Sequence, residues 1–282
     1  MPRLKKSAAP ACSPEPATPA QPPNPEYLGT LAKGLALLRE FASGAPCLTV
    51  QEAAKRLDIS RAAARRLLIT LEAEGYLCCE GYNYLLTPRV LDLGFAYYAS
   101  MSLPRLAQST LQTLCQQLGE AVSLGVWDDD HVVIVARQEP VRLLRVNVDI
   151  GRRMPAATHS MGRILLAAQS AAAQQAHLSK YPLQAYTTET ITDHQQLLSV
   201  LVQVEQQGWC IVSGELAEGF CGVSVLVRGS NGRVLAALST TMVQGKRSVQ
   251  QLQALFVPPL QAAAQHLQAL ASELSELQVF KL

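Results

Sequence analysis

No apolar run in this 282-residue sequence reaches the roughly 18 residues that a membrane-spanning helix needs. The N-terminus has no hydrophobic stretch followed by a cleavage site, so no secretory signal is expected. The seven cysteines are an odd number; none forms a Cys-x-x-Cys pair and none stands at zinc-ligand spacing from a histidine. They are expected to be reduced thiols buried for packing in a cytoplasmic protein, with no metal and no cofactor. Acidic and basic residues nearly cancel to a net charge of +2, so any nucleic-acid surface has to be a local patch. A Gly-x-Ser-x-Gly elbow, a phosphate loop and internal repeats are all missing. His131, His159, His177, His194 and Cys210 complete no catalytic constellation, and His159 beside Ser160 is no triad, because adjacent side chains on one backbone rarely meet. No enzyme is expected. Asp128-Asp129-Asp130 suggests a metal loop, but consecutive carboxylates do not converge on one ion without an unusual backbone, and a solvated turn is the simpler reading.

What is present is concentrated in Leu48–Leu71. Thr49, with Glu52 three residues on, fits a capping box that starts a helix through Ala53, Ala54 and Leu57. Asp58-Ile59-Ser60 is a turn, and Ser60 is placed to cap the next helix. There Ala64, Leu67, Leu68 and Leu71 recur at helical spacing and form a core face. Ala62, Arg65, Ile69 and Arg66 fall on the opposite side, with Arg61 at its edge. Lys55, Arg56, Arg61, Arg65 and Arg66 stand against the single anion Asp58. Small residues and arginines at the exposed N-terminal end of a second helix suit the DNA major groove, where arginines reach guanine edges or phosphates. A basic solvated face is the alternative. Downstream, Gly75–Thr87 reads as two short strands around Glu80-Gly81-Tyr82-Asn83. A hairpin there is a wing whose tip, Gly81-Tyr82-Asn83, lies near the sugar–phosphate backbone. The DNA-contacting set is therefore Thr49, Ser60, Arg61, Ala62, Arg65, Arg66 and Tyr82.

With 49% apolar residues, the chain can fill two sizeable cores. Residues 1–27 hold half of its prolines and read as a disordered Pro/Ala-rich tail. Residues 28–88 form the winged helix-turn-helix domain, opened by a helix over 28–43. Residues 89–102 form a linker helix, apolar nearly all round, whose simplest partner is a second copy of the chain; Pro104 is expected to kink or break it near Leu103. In residues 103–282, strands and helices alternate. Hairpins are expected around 128–131 and at Ser230-Asn231-Gly232. A strand is expected over 144–150 and helices over 160–169 and 193–207. A last helix, 248–277, is expected to be interrupted at Pro258-Pro259. An antiparallel sheet flanked by helices follows, giving an α+β protein whose C-terminal part is GAF-like.

The order of these parts, with Gly34-Leu35-Ala36-Leu37-Leu38, Ala63-Ala64-Arg65-Arg66-Leu67-Leu68, Leu86-Thr87-Pro88-Arg89, Ser160–Ala167, Gly208-Trp209, Glu215 and Glu218-Gly219, resembles the IclR family of bacterial transcription regulators. The wording is most similar to the branch of protocatechuate and para-hydroxybenzoate regulators. The resemblance implies promoter DNA as a partner, self-association as dimer or tetramer, and a small aromatic carboxylic acid as effector. It implies an activator of an aromatic catabolic operon, and leaves RNA polymerase open as a further contact. The alternatives are a repressor sensing another organic acid, or a constitutive DNA binder whose C-terminal part only dimerises. By the same resemblance the effector pocket takes Met154, Pro155, Thr158, His159, Ser160 and Gly162 from the loop before a helix and from its start, Phe220 and Gly222 after the acidic motif, and Ser239 and Thr241 from the last strand. Spacing agrees for Ser239 and Thr241, which share a strand face, although an ordinary polar face has the same spacing. Arg137, Arg142, Arg145 and Arg163 are unranked partners for the carboxylate.

Overall fold

The computed structural model describes residues 26–42, 44–100, 102–141 and 148–273. The chain divides between Ala96 and Tyr97 into two compact units. Residues 1–25 of the expected tail, residues 144–147 of the expected 144–150 strand (with Arg145), Arg142 and residues 274–282 lie outside the described residues.

The first unit contains α1 (Gly29–Phe41), α2 (Val50–Arg56), α3 (Arg61–Ala73), β1 (Leu77–Glu80), β2 (Asn83–Leu86), a 3-10 turn at Pro88–Val90 and the start of α4 (Leu91–Ser100). The capping box forms as the sequence dictates: the Thr49 side chain accepts from the Glu52 amide, and the Glu52 carboxylate accepts from the Thr49 amide at 2.8 Å. That hydrogen bond lowers the Glu52 pKa. After α2 the chain reverses at Asp58, whose φ of 49° places it in the left-handed region. The Ile59 amide reaches back to Ala54 O at 3.0 Å and the Asp58 amide to Lys55 O at 3.4 Å. This is a Schellman stop with aspartate in the usual glycine position. Ser60 then caps α3 through the Ala63 amide at 3.2 Å. Leu37, Phe41, Leu48, Ala64, Leu67, Leu68, Leu77 and Tyr84 bury together, each large side chain contributing about 1.5–3 kcal/mol. β1 and β2 pair from Leu77↔Leu86 to Glu80↔Asn83, and Leu48 adds a bridge to Tyr84 on the other side of β2.

The second unit contains α5 (Ser102–Leu118), β3 (Ala121–Asp128), β4 (His131–Gln138), β5 (Arg153–Pro155), α6 (Ser160–Ala167), α7 (Ala171–Lys180), α8 (His194–Gln207), β6 (Trp209–Ser213), β7 (Phe220–Arg228), β8 (Val234–Val243) and α9 (Val249–Glu273). Its antiparallel sheet has the order β5-β4-β3-β8-β7-β6. Strand alternation gives the sheet two loaded faces. Val122, Leu124, Val223, Val225 and Leu238 pack against α5 and α9. Ile134, Cys210 and Val212 face Ile164 and Leu165 of α6 and Leu197 and Leu201 of α8.

Several expectations change. α9 runs unbroken through Pro258 and Pro259. Each proline removes an amide that would have bonded to Ala254 or Leu255. Both of those residues are exposed, on the solvent side of the helix. Leu252, Phe256, Val257, Leu260 and Leu267 bury the other side of the helix, which outweighs the interruption. Pro104 lies inside the first turn of α5, where a missing amide costs little, and α4 and α5 are separate elements on either side of residue 101, as a kink or break near Leu103 anticipates. Val148–Ile150 are not a strand; the edge strand is β5, and α7 was not anticipated. Cys115, Cys210 and Cys221 are buried, and burial pushes the last two thiols up to about 12 and about 11, but Cys78 and Cys79, on opposite faces of β1, are both exposed. Each aspartate at the β3–β4 turn has its own protein partner: Asp128 meets Arg153, Asp129 meets Lys180 and Tyr181, and Asp130 meets His177.

Candidate functional site

On α3, the alternation of burial follows the sequence wheel. Ala64, Leu67 and Leu68 are buried, while Arg61, Ala62, Arg65, Arg66 and Ile69 are exposed. Among the described residues, Arg61, Arg65 and Arg66 pair with no carboxylate; Arg56 is held by Glu40 at 3.4 Å. An exposed helix start with a small residue, Ala62, among unpaired guanidinium groups can approach a groove closely and form bidentate contacts to bases or phosphates. Tyr82 stands at the tip of the β1–β2 turn with 90% of its surface exposed. Gly81 precedes it at φ 67°, as two-residue hairpin turns require. Thr49 is half-buried and Ser60 exposed, and the side chains of both are engaged as helix caps.

In the second unit, a polar row crosses the sheet on the face toward α6. Register places Arg137 opposite Ser123, Ser123 opposite Ser239, Ser239 opposite Ser224, and Ser224 opposite Cys210. Ser160, the first residue of α6, comes down onto this row. Ser224 Oγ donates to Ser160 Oγ at 2.7 Å, and Ser239 Oγ lies 3.5 Å from Ser160 Oγ. All three serines are at most 1% exposed. At the other end of the row, Arg137 Nη1 donates to Ser123 Oγ at 2.7 Å, while its Nε and Nη2 reach one oxygen of Glu139 at 2.8 and 2.6 Å.

The start of α6 is unusual in its cap. His159 Nδ1 accepts from the Met161 amide at 3.2 Å, which requires an unprotonated Nδ1. Burial, reinforced by the Arg137 charge, lowers the His159 pKa to about 4, so the ring is neutral at physiological pH. Thr158 is 3% exposed, and its hydroxyl has no hydrogen-bond partner among the described residues. Helix starts also leave their first amides without intrahelical partners and favour anions. Gly162 lets this turn sit against the preceding loop: a Cβ there would stand 2.3 Å from the Cα of Ala156.

The structure thus brings Thr158, His159, Ser160, Gly162, Gly222 and Ser239 together. Thr241 is half-buried, opposite Gly222 in register and on the Ser239 face. Met154 and Pro155 lie on β5, with Met154 opposite Val132 at the rim of the apolar cluster. Phe220 is half-buried at the first position of β7. Arg163, one of the four arginines considered for a carboxylate, is already committed. Its Nη1 and Nη2 hold Glu215 at 2.7 and 2.6 Å, and its Nε and Nη2 donate to Ala157 O. Arg137 is the described arginine that reaches the serine row. Ser123 is not singled out by the sequence, and Ser224 figures there only as the end of the Phe220–Ser224 segment of the implied pocket floor. Their signal was a lone hydroxyl inside an otherwise apolar run, Gly222-Val223-Ser224-Val225 and Ala121-Val122-Ser123-Leu124.

Both units match family models: "IclR helix-turn-helix domain" over residues 30–78, and "Bacterial transcriptional regulator IclR C-terminal" over residues 95–269. The chain is 38% identical over 245 residues to the Pca regulon regulatory protein of Pseudomonas putida, covering 86% of this chain and 84% of the relative. It is 36% identical over 250 residues to the p-hydroxybenzoate hydroxylase transcriptional activator of Acinetobacter baylyi, covering 87% and 92%. Among solved structures, it is similar to a double mutant of the inducer-binding domain of PobR from Acinetobacter in complex with 3-hydroxybenzoic acid. There the TM-score is 0.56 and the identity 32%, covering 59% of this chain and 98% of that one.

Proposed function

The chain belongs to the IclR family of bacterial transcriptional regulators, and we propose that it switches an aromatic-acid catabolic operon on binding a small aromatic carboxylic acid. Family membership makes it a DNA-binding regulator rather than an enzyme. Activation is the direction favoured by the relative named as a transcriptional activator. Promoter DNA is read by Arg61, Ala62, Arg65 and Arg66 of α3, with Thr49 and Ser60 at the helix starts and Tyr82 on the backbone. Residues 28–88 serve as the DNA-binding domain, 89–102 as the linker and 103–282 as the effector domain. The effector lies against Thr158, Ser160, Gly162, Gly222, Ser239 and Thr241, with Met154 and Phe220 at its edges. Self-association fits the exposed apolar residues Leu91, Leu93 and Phe95 of α4, and RNA polymerase remains the natural further contact of an activator.

One observation carries the effector reading: three buried serine hydroxyls meet at the start of α6, in line with Arg137 across the sheet. Such a cluster offers donors to a carboxylate, beside an apolar layer that accepts a ring. No helix of the described residues is long and apolar enough to cross a membrane.

A thermal-shift panel with para-hydroxybenzoate, protocatechuate, benzoate, cis,cis-muconate and glyoxylate tests this reading, because a ligand that binds only the folded state raises its midpoint by mass action. A rise with one aromatic acid, and a change in promoter retardation with the same acid, is the expected result. A panel in which only glyoxylate acts, or none does, overturns the aromatic reading.

A further inference from the structure

We propose that Ser224 is a positioning residue that fixes the polarity of the Ser160 hydroxyl, and thereby selects a carboxylate over a neutral amide of the same shape. The inference rests on the reading that an acid binds at the start of α6, and it assigns the selectivity of that site to a residue whose own proton is spent on Ser160.

A serine hydroxyl carries one proton and two acceptor lone pairs, and it rotates to suit its neighbours. Ser224 is 0% exposed, and its proton goes to Ser160 Oγ at 2.7 Å, the optimal length for a hydroxyl pair. One lone pair of Ser160 is thereby filled from β7. Its own proton is poorly spent within the protein, since Ser239 Oγ is 3.5 Å away and the Ser239 proton is directed to Thr240 O at 3.3 Å. Ser160 is therefore set as a donor. Beside it, the buried Thr158 hydroxyl has no partner among the described residues. Helix starts also leave backbone amides without intrahelical partners, so protons are plentiful at the site.

A carboxylate, which only accepts, satisfies such a site on both oxygens. A primary carboxamide brings an NH2 group that needs an acceptor, and the Ser224 hydrogen bond leaves Ser160 one free lone pair instead of two and turns its proton toward the ligand. Replacing Ser224 with a side chain that cannot donate frees Ser160 to turn and accept. The ligand's acid and amide forms then become more nearly equivalent. A purely structural role for Ser224 would weaken both ligands together and leave their ratio unchanged.

The experiment is calorimetric titration of the full chain with para-hydroxybenzoate and para-hydroxybenzamide, and with glyoxylate and glyoxamide, for the parent, Ser224→Ala and Ser224→Cys proteins. Cysteine keeps the size and weakens the donor, so it serves if the alanine variant folds poorly. We expect the acid-to-amide affinity ratio to fall about threefold or more in Ser224→Ala, and by less in Ser224→Cys. An unchanged ratio, with whatever loss of affinity, overturns the proposal. If only the glyoxylate pair binds the parent protein, the aromatic reading fails and the Ser224 proposal is decided on that pair. Binding of no acid at all overturns both.

Discussion

Gly222 and Ser160 face one another so closely that a Cβ on residue 222 would stand 2.5 Å from Ser160 Oγ. The glycine sits on β7 opposite Thr241 at an ordinary extended position, so what it supplies is space rather than conformational freedom. Gly222→Ala should therefore displace the Ser160 hydroxyl from Ser224. Overpacking of this kind costs about 1–3 kcal/mol, and the effector should bind about tenfold or more weakly. Promoter retardation without effector should be unaltered. Equal effector affinity in the alanine variant would mean that Ser160 moves aside without consequence, and would remove it from the pocket.

The first unit was legible in the sequence because its signals are local. Thr49 with Glu52, Ser60 before Ala63, and Asn83 closing a two-residue turn act over four residues or fewer. The pocket was legible only in part. Ser239 and Thr241 lie on one strand and betray a common face by spacing, but Ser224 and Ser123 gain meaning only from cross-strand register, which no single strand reveals. Arg163 could not be ranked among the four arginines for the same reason: its partner Glu215 lies 52 residues away, and spacing does not reveal a pair at that separation. Pro258 and Pro259 misled in the other direction, since a local rule against helix gave way to the buried face of α9.

The Arg163–Glu215 pair joins α6 to the loop before β7, and its side chains are 2% and 8% exposed. Glu215 also accepts from the Ile191 amide at 3.3 Å. Removing one partner from such a pair leaves a buried charge without compensation. Arg163→Met should thus destabilise the protein by about 3–5 kcal/mol, whereas Arg163→Met with Glu215→Leu should recover part of the loss. Denaturant midpoints of the single and double variants test this. A double variant no more stable than the single would show that the charges contribute little and that the Arg163 bonds to Ala157 O matter instead.

The histidine cap makes stability depend on pH in a defined direction. An unfolded histidine takes a proton near pH 6.5, whereas His159 in the folded chain takes one only at about 4. Between these values the unfolded chain binds more protons. The stability is fully present above about pH 6.5 and is lost as pH falls toward 4, by up to about 3 kcal/mol. His131 is shifted down as well, chiefly by burial, so the comparison has to be made between variants. His159→Asn keeps a cap acceptor without a titrating group. Its denaturant midpoint should fall less steeply from pH 7 to 4.5 than that of the parent. Parallel curves would assign the acid sensitivity elsewhere.

The exposed arginines of α3 should separate into a base reader and a backbone anchor. Arg65 and Arg66 are consecutive, so they diverge by about 100° around the helix and cannot meet the same edge of the duplex. An arginine that reads a base loses about 1–3 kcal/mol on substitution by alanine and relaxes one operator position. One that meets a phosphate weakens all sequences alike and lowers the slope of log K against log salt by about one. Titrating Arg65→Ala and Arg66→Ala with operator and scrambled duplexes at several salt concentrations distinguishes the two. Folding should be intact in both, because each side chain is exposed and the buried face of α3 is carried by Ala64, Leu67 and Leu68. If both variants bind operator like the parent at every salt concentration, α3 is not the helix in the groove, and the basic cluster only solvates the surface.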